Sequence, residues 1–308
     1  MSSKLVRFAY FGLPLGALAL ARAGFTPHLI VLGHTDAPGA RRVRKLPSRL
    51  LERPDLRDAH VQRSIRDAGA DALLCWFYPK QVPRGLLDAF PRGAFGTHPS
   101  LLPRWRGPDP YFWAIYEDDR ETGVSLHRLE ADYDTGAVIA QEALAIDPRE
   151  HAFRLAKRLD RPALRLLVDC ARRLSNGEPL HGRAQPAEGV TLAPKPEPEL
   201  LELDWEAPAA QVVRLVRAAA PYPGASCELG SEVVDVLEAE VYGGALPRAL
   251  EPRDAVWTPD GLVVCAGDAG VLVRRVRTER DVLLHGSELT RLFPGGLTQV
   301  HFGPKDPS

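Results

Sequence analysis

Residues 5–33 constrain the fold more than any other stretch of the chain. Residues 5–11 are a short apolar run that stops at Gly12, residues 15–23 are rich in alanine and leucine, and residues 28–33 are apolar again. Short apolar runs bounded by glycine fit buried strands, whereas the middle stretch is dense in helix formers. Strand, helix and strand in so short a span form a βαβ unit, which requires a parallel sheet covered by helices. The pattern continues. Residues 61–68 read as a helix, 72–77 as a strand and 83–90 as a short helix. Residues 93–97 and 123–129 read as strands with a helix over 110–116 between them, and 150–175 as a long helix ended by Asn176-Gly177. An α/β sheet is therefore expected over residues 1–180.

Prolines 179, 186, 194, 196 and 198 then interrupt any regular pattern, and residues 181–205 read as an extended linker. Beyond it a helix is expected over 207–219, stopped by Pro221. Short β-like runs follow at 226–229, 233–239, 261–265 and 270–276, each close to a glycine, and a small β-barrel is expected over 206–308.

Composition removes several classes. The net charge of −1 argues against a protein devoted wholly to coating nucleic acid, although a local basic patch still binds on its own terms. Cys75, Cys170, Cys227 and Cys265 are scattered with no Cys-x-x-Cys pair, so reduced buried thiols are expected rather than a disulfide framework or a zinc site. His127 and His151 stand apart from any cluster of ligands in the sequence, and no metal is expected. No secretory pattern and no membrane-length apolar run is visible, which makes the cytoplasm the expected compartment.

Two segments carry candidate chemistry. The first runs from Gly93 to Gly107 and contains His98-Pro99-Ser100-Leu101-Leu102-Pro103-Arg104-Trp105-Arg106-Gly107. A histidine at the carboxyl end of a parallel strand faces the place where open α/β sheets bind ligands, and its neutral-range pKa suits acid–base work. A strand-end histidine bonded to a loop carbonyl is the plainer alternative. The second segment is Asp132-Tyr133-Asp134-Thr135-Gly136, where Asp134 either orients an imidazole or simply makes a turn before glycine.

In order, spacing and local sequence, these segments together with Glu121-Thr122-Gly123-Val124 resemble the formyltransferase family. The resemblance extends from Phe11-Gly12-Leu13-Pro14 to Asp204-Trp205, Arg217 and Pro221-Tyr222-Pro223-Gly224-Ala225. Within the family, the branch acting on methionyl-tRNA is the most similar over the whole chain. The resemblance implies a Rossmann-like formyltransferase domain, a small OB-type β-barrel domain and 10-formyltetrahydrofolate as co-substrate. It implies that His98 and Asp134 are catalytic. It also places Trp76, Phe77, Tyr78, Ser100, Leu101, Leu102 and Pro103 at the folate. Formyl transfer to an amine needs a base and a stabiliser for the developing oxyanion. The family's asparagine two residues before the histidine is Gly96 here. Losing one such donor costs about 3–4 kcal/mol of transition-state stabilisation.

The acceptor implied is methionyl-initiator tRNA, gripped by the basic run Arg41, Arg42, Arg44 and Lys45, which otherwise reads as a solvated loop. On an OB-type barrel, Arg274, Arg275, Arg277 and Arg280 offer a basic face if they alternate along a strand. Two alternatives accompany this reading. One is a nucleotide-linked amino sugar as acceptor, because Gly107-Pro108-Asp109-Pro110-Tyr111-Phe112-Trp113 is reminiscent of sugar N-formyltransferases. The other is a catalytically impaired folate- or RNA-binding paralogue, favoured by Gly96. The sequence leaves the oligomeric state open, and a monomer suits a binder of tRNA.

Overall fold

The computed structural model describes residues 5–230, 232–246 and 250–294. The chain divides into two compact units. The first comprises Met1–Pro110, Glu121–Ala145 and Lys157–Ala193, and the second Tyr111–Arg120, Ile146–Ala156 and Pro194–Ser308. The far end of the second domain expected over 206–308 lies outside the described residues from 295 onward.

The first unit is built on strands β1 (Phe8–Gly12), β2 (Leu29–Leu32), β3 (Arg49–Glu52), β4 (Ala72–Trp76), β5 (Ala94–His98), β6 (Glu121–Arg128) and β7 (Val138–Ala145). They form one seven-stranded sheet in the order β3-β2-β1-β4-β5-β6-β7. Helices α1 (Pro14–Arg22), α2 (Ala40–Val43), α3 (Ala59–Asp67) and α4 (Arg84–Leu87) connect the first five strands. β1 lies between β2 and β4 in parallel register, Tyr10 opposite Ile30 on one side and Leu74 on the other. All five of its residues are buried, so its sequence is a continuous apolar run rather than an alternation. At its end Gly12 has φ +147°, and a Cβ there would collide with the carbonyl oxygen of Trp76. Pro14 then starts α1, where its missing N–H costs no helical bond. This is the Rossmann-like arrangement expected.

Two expectations are corrected in this unit. The sheet is not parallel throughout, because β6 runs antiparallel to both β5 and β7. The chain between β6 and β7 is too short for the crossover that parallel neighbours require. The basic run at 41–45, expected as a loop, begins as the one-turn helix α2.

Helix α5 (Pro110–Tyr116) matches its expected bounds, and α6 (Ala152–Ser175) is a single long helix with Pro162 inside it. Leu155, Leu159, Ala163, Leu167, Cys170 and Leu174 form its buried stripe.

The second unit carries α7 (Ala209–Ala219) and the strands β8 (Ala225–Leu229), β9 (Glu232–Val241), β10 (Ala255–Thr258), β11 (Gly261–Cys265), β12 (Gly270–Thr278) and β13 (Leu283–His285). They form a six-stranded sheet in the order β10-β11-β12-β9-β8, with β13 paired to β12. Every pairing in it is antiparallel. The basic face expected from alternation along β12 does not form. Register shifts between Val273 and Val276 break the alternation. Each arginine of this stretch instead meets a carboxylate of β9. Arg274 pairs with Glu240, Arg275 with Glu238 at 3.7 Å and the buried Arg277 with Asp235 at 2.6 Å. Arg277 also donates to the carbonyls of Pro221 and Pro223 and lies 4.4 Å from the Tyr222 ring. It is a structural clamp on the Pro221–Pro223 turn.

Candidate active site

β5 ends at His98, at the carboxyl edge of the sheet next to β4. Pro99 stops the strand, and residues 99–107 fold into a loop held by one buried hydroxyl. Ser125 on β6 donates to the Ser100 carbonyl at 2.6 Å and accepts from the Leu102 N–H at 3.0 Å. Gln141 on β7 donates to the same hydroxyl and to the Leu102 carbonyl. Ser100 is fully buried and donates to the carbonyl of Arg104, closing its own turn. Leu102 is buried, and Leu101 packs its side chain where a Cβ on Gly123 would otherwise sit. Pro103 follows a cis peptide bond.

His98 is buried, and its Nδ1 lies 3.4 Å from Oδ2 of Asp134. Its Nε2 lies 2.8 Å from the carbonyl oxygen of Trp105. The two readings of a strand-end histidine, loop-bonded and paired with the aspartate, are thus both present in one side chain. Asp134 adopts φ +58°, in the left-handed region that non-glycine residues rarely enter. Its surroundings hold it there. The Gly107 N–H donates to Oδ2 at 3.0 Å, and Gln185 donates to the backbone carbonyls of Asp134 and Gly136 at 2.7 and 2.8 Å. Gln185 in turn accepts from Nε and Nη2 of Arg106. Gly107, at φ +122°, is required where it stands, since a Cβ would lie 2.8 Å from the carbonyl oxygen of Ala193. Thr191 and Ala193 complete the support through bonds to Trp105, Arg106 and Asp109. Residues 183–193, inside the stretch read as linker, are therefore bound to the loops around His98 and Asp134.

A second histidine enters the same site. His127 on β6 is directly opposite Gly96 in the antiparallel register. Its Nε2 lies 3.6 Å from Oδ1 of Asp134, and its ring stands 6.4 Å from that of His98 at nearly a right angle. Register rather than sequence distance brings His127 to His98 and Asp134. Burial pushes its pKa down to about 4, against the pull of Asp134. Among the described residues no group of histidine, cysteine and carboxylate side chains is placed to hold a metal ion.

A Cβ at Gly96 would lie 2.8 Å from Cδ2 of Leu129, the tip of a flexible side chain, with its next neighbours at 3.5 and 3.6 Å. On β4, the Trp76 side chain is buried, and Phe77 is about one-third exposed at φ +51° with its ring 5.1 Å from Trp76. The Tyr78 ring lies tilted 5.5 Å from that of Phe11, and burial first, then the nearby Cys75, pushes its phenol up to about 12. The Trp76 Nε1 and the Tyr78 hydroxyl are buried without a hydrogen-bond partner among the described residues. Arg41, Arg42, Arg44 and Lys45 are exposed around α2, and Arg44 bonds to Glu52 and to the Thr35 carbonyl. No helix among the described residues is long and apolar enough to cross a membrane.

Comparison with known proteins agrees with this architecture. The solved structure of HypX from Aquifex aeolicus superposes with a TM-score of 0.67 at 18% identity, over 96% of this chain and 50% of that one. An N-formyltransferase from Helicobacter canadensis, solved with folinic acid and dTDP-3-aminofucose, superposes with a TM-score of 0.64 at 12% identity, over 87% and 99%. At such identities the likeness is one of fold. Sequence relatives are nearer. The methionyl-tRNA formyltransferase of Anaeromyxobacter dehalogenans (strain 2CP-1) is 34% identical over 89% of this chain and 93% of its own. That of Aromatoleum aromaticum is 32% identical over 96% of each. The family model described as formyl transferase matches residues 31–170, and that of the formyl transferase C-terminal domain matches residues 195–293. Matched in both segments and along nearly its whole length, the chain belongs to the formyl transferase family.

Proposed function

We propose that the enzyme transfers the formyl group of 10-formyltetrahydrofolate to the amino group of methionyl-initiator tRNA. The observation that carries this reading is the His98–Asp134 pair at the carboxyl edge of the sheet, in a chain whose full-length relatives are named methionyl-tRNA formyltransferases. His98 and Asp134 accept the proton that the attacking amine gives up and return one to the leaving nitrogen. Gly107 and Gln185 hold Asp134 in place for that exchange. The folate, when bound, supplies an activated formyl carbon. Trp76, Phe77, Tyr78, Ser100, Leu101, Leu102 and Pro103 are the proposed folate-lining residues. The fit of a polar heterocycle is supported by the unpartnered Trp76 Nε1 and Tyr78 hydroxyl. Arg41, Arg42, Arg44 and Lys45 are the proposed contacts to tRNA phosphates, and such contacts weaken as salt rises.

The test is a transfer assay with formyl-labelled donor and methionyl-initiator tRNA across a range of salt. Formyl-methionyl-tRNA is expected, with affinity falling as salt rises. In the His98→Ala variant turnover is expected to fall at least about 100-fold while folate still binds. Undiminished turnover in that variant would remove His98 from the mechanism. Transfer to a nucleotide-linked amino sugar instead of tRNA would favour the acceptor of the Helicobacter canadensis relative. Folate binding without transfer to either would make the chain a binding paralogue.

A further inference from the structure

Trp105 stands at φ +57°, a left-handed conformation that a bulky side chain rarely adopts and that persists only where the surroundings over-determine it. Its carbonyl oxygen lies 2.8 Å from Nε2 of His98. A carbonyl only accepts, so Nε2 carries a hydrogen. The peptide groups on both sides of Trp105 are held at both ends. In the first, the Ser100 hydroxyl donates to the Arg104 carbonyl at 2.6 Å, and the Trp105 N–H donates to Oγ1 of Thr191 at 2.8 Å. In the second, the Trp105 carbonyl meets His98, and the Arg106 N–H donates to the Thr191 carbonyl at 3.0 Å. The group that holds the His98 ring therefore depends on where Ser100 sits.

We propose that Ser125 and Gln141 are positioning residues for formyl transfer, fixing through this loop the carbonyl that orients His98. This rests on the transferase reading above. His98 on β5 and Gln141 on β7 are the register partners of Ser125 on either side, so the three stand in one row on one face of the sheet. The Ser125 hydroxyl is fully used. It donates to the Ser100 carbonyl and accepts from the Leu102 N–H and from Nε2 of Gln141 at 2.9 Å. A hydroxyl has one hydrogen and two lone pairs, so none remains for a substrate. Ser125 thus acts through the loop and not on the reacting atoms.

Gln141 completes the arrangement by donating to the Leu102 carbonyl as well, at 3.0 Å. Both groups that its amide meets are acceptors there, because the only Ser125 hydrogen points to Ser100. A carboxylate of the same shape at 141 would set oxygen against oxygen at both contacts. Ser125 is fully buried, whereas Gln141 is exposed on the edge strand β7, so the outer member of the row can be changed without entering the core.

Two measurements test the proposal. Gln141→Glu keeps the side-chain shape and removes both donors. In the transfer assay, kcat is expected to fall about tenfold in Gln141→Glu and in Ser125→Ala, while Ser125→Thr, which keeps the hydroxyl, stays within about threefold of the wild type. In enzyme labelled with ¹⁵N-histidine, the His98 Nε2–H resonance, identified by its loss in His98→Ala, is expected to move in Gln141→Glu and to hold its place in Ser125→Thr. A role confined to holding the fold together would lower the melting temperature and leave the resonance and the kcat of folded enzyme unchanged. An unmoved resonance or an unchanged kcat in Gln141→Glu overturns the proposal, and that variant decides even if Ser125→Ala does not fold. Wild-type enzyme that transfers nothing to tRNA removes the functional reading instead, and the resonance then decides alone whether Ser125 and Gln141 position His98.

Discussion

Gly96 and His127 exchange what strands β5 and β6 carry at one point of the sheet. The resemblance calls for a side-chain donor at 96, and the chain has none there. Leu129 occupies the space instead, and an imidazole stands on the neighbouring strand. Restoring the asparagine alone therefore meets the tip of the Leu129 side chain. Gly96→Asn is expected to leave kcat unchanged or lower, because the Leu129 tip must first be displaced from 2.8 Å. In Gly96→Asn/Leu129→Ala the obstruction is gone, and kcat is expected to rise about tenfold above Leu129→Ala alone. Steady-state kinetics on the three variants decide it, and a faster Gly96→Asn single variant would show that Leu129 does not hold the space. The approach of Asp134 to His98 was legible because each sits in a short motif at a strand end. His127 was not. Its partners are set by the antiparallel pairing of β5 with β6, and nothing local in Leu126-His127-Arg128 marks that direction.

At the scale of elements, the segment from Arg183 to Ala193 shows how little composition says about a stretch without regular structure. Its proline, Pro186, belongs to a stretch forecast as extended; the path turns at residues 187–189, and its polar groups are committed. Gln185 spans Arg106 and the backbone of the Asp134 loop, replacing the strand or helix bonds that would otherwise hold a residue at φ +58°. Gln185→Leu removes two neutral hydrogen bonds and the acceptor of a guanidinium, on the order of 3 kcal/mol of local support. Hydrogen exchange at residues 130–136 is expected to accelerate and kcat to fall at least about tenfold. Unchanged exchange would show that the Gly107 N–H alone holds the loop. Three of the strands missed in the sequence share a cause. β3 and β13 are short edge strands, and β7 is rich in alanine, glutamine and glutamate, residues with little intrinsic preference for strands. Their strand identity comes from a neighbour offering bonds. The central strands β1, β2 and β4 are buried on both faces and announce themselves as apolar runs.

For the whole molecule, buried titratable groups set the response to acid. Burial depresses His127 to about 4 from an ordinary 6.5. Between those values the unfolded chain binds a proton that the native one does not. The stability this neutral ring contributes is therefore complete above about pH 6.5 and is lost as pH falls toward about 4. Asp160 acts with the opposite sign. Burial raises it to about 6, so its ionisation costs stability as pH rises through roughly 4 to 6. Comparing the wild type with His127→Met cancels the Asp160 contribution. Denaturant unfolding at pH 7 and pH 4.5 is expected to show the wild type losing more stability than the variant, and equal losses would contradict the assigned shift.

The bonds from Thr191 and Ala193 back to residues 105–109 bear on how such a chain can be recombined. A cut at residue 180 would leave every strand of the seven-stranded sheet intact yet strip the aspartate loop of its brace. A cut after Ala193 keeps that brace. Any chimera that grafts a relative's carboxyl-terminal domain onto this one should therefore be spliced beyond Ala193, and natural exchanges of that domain that preserve transfer should respect the same seam.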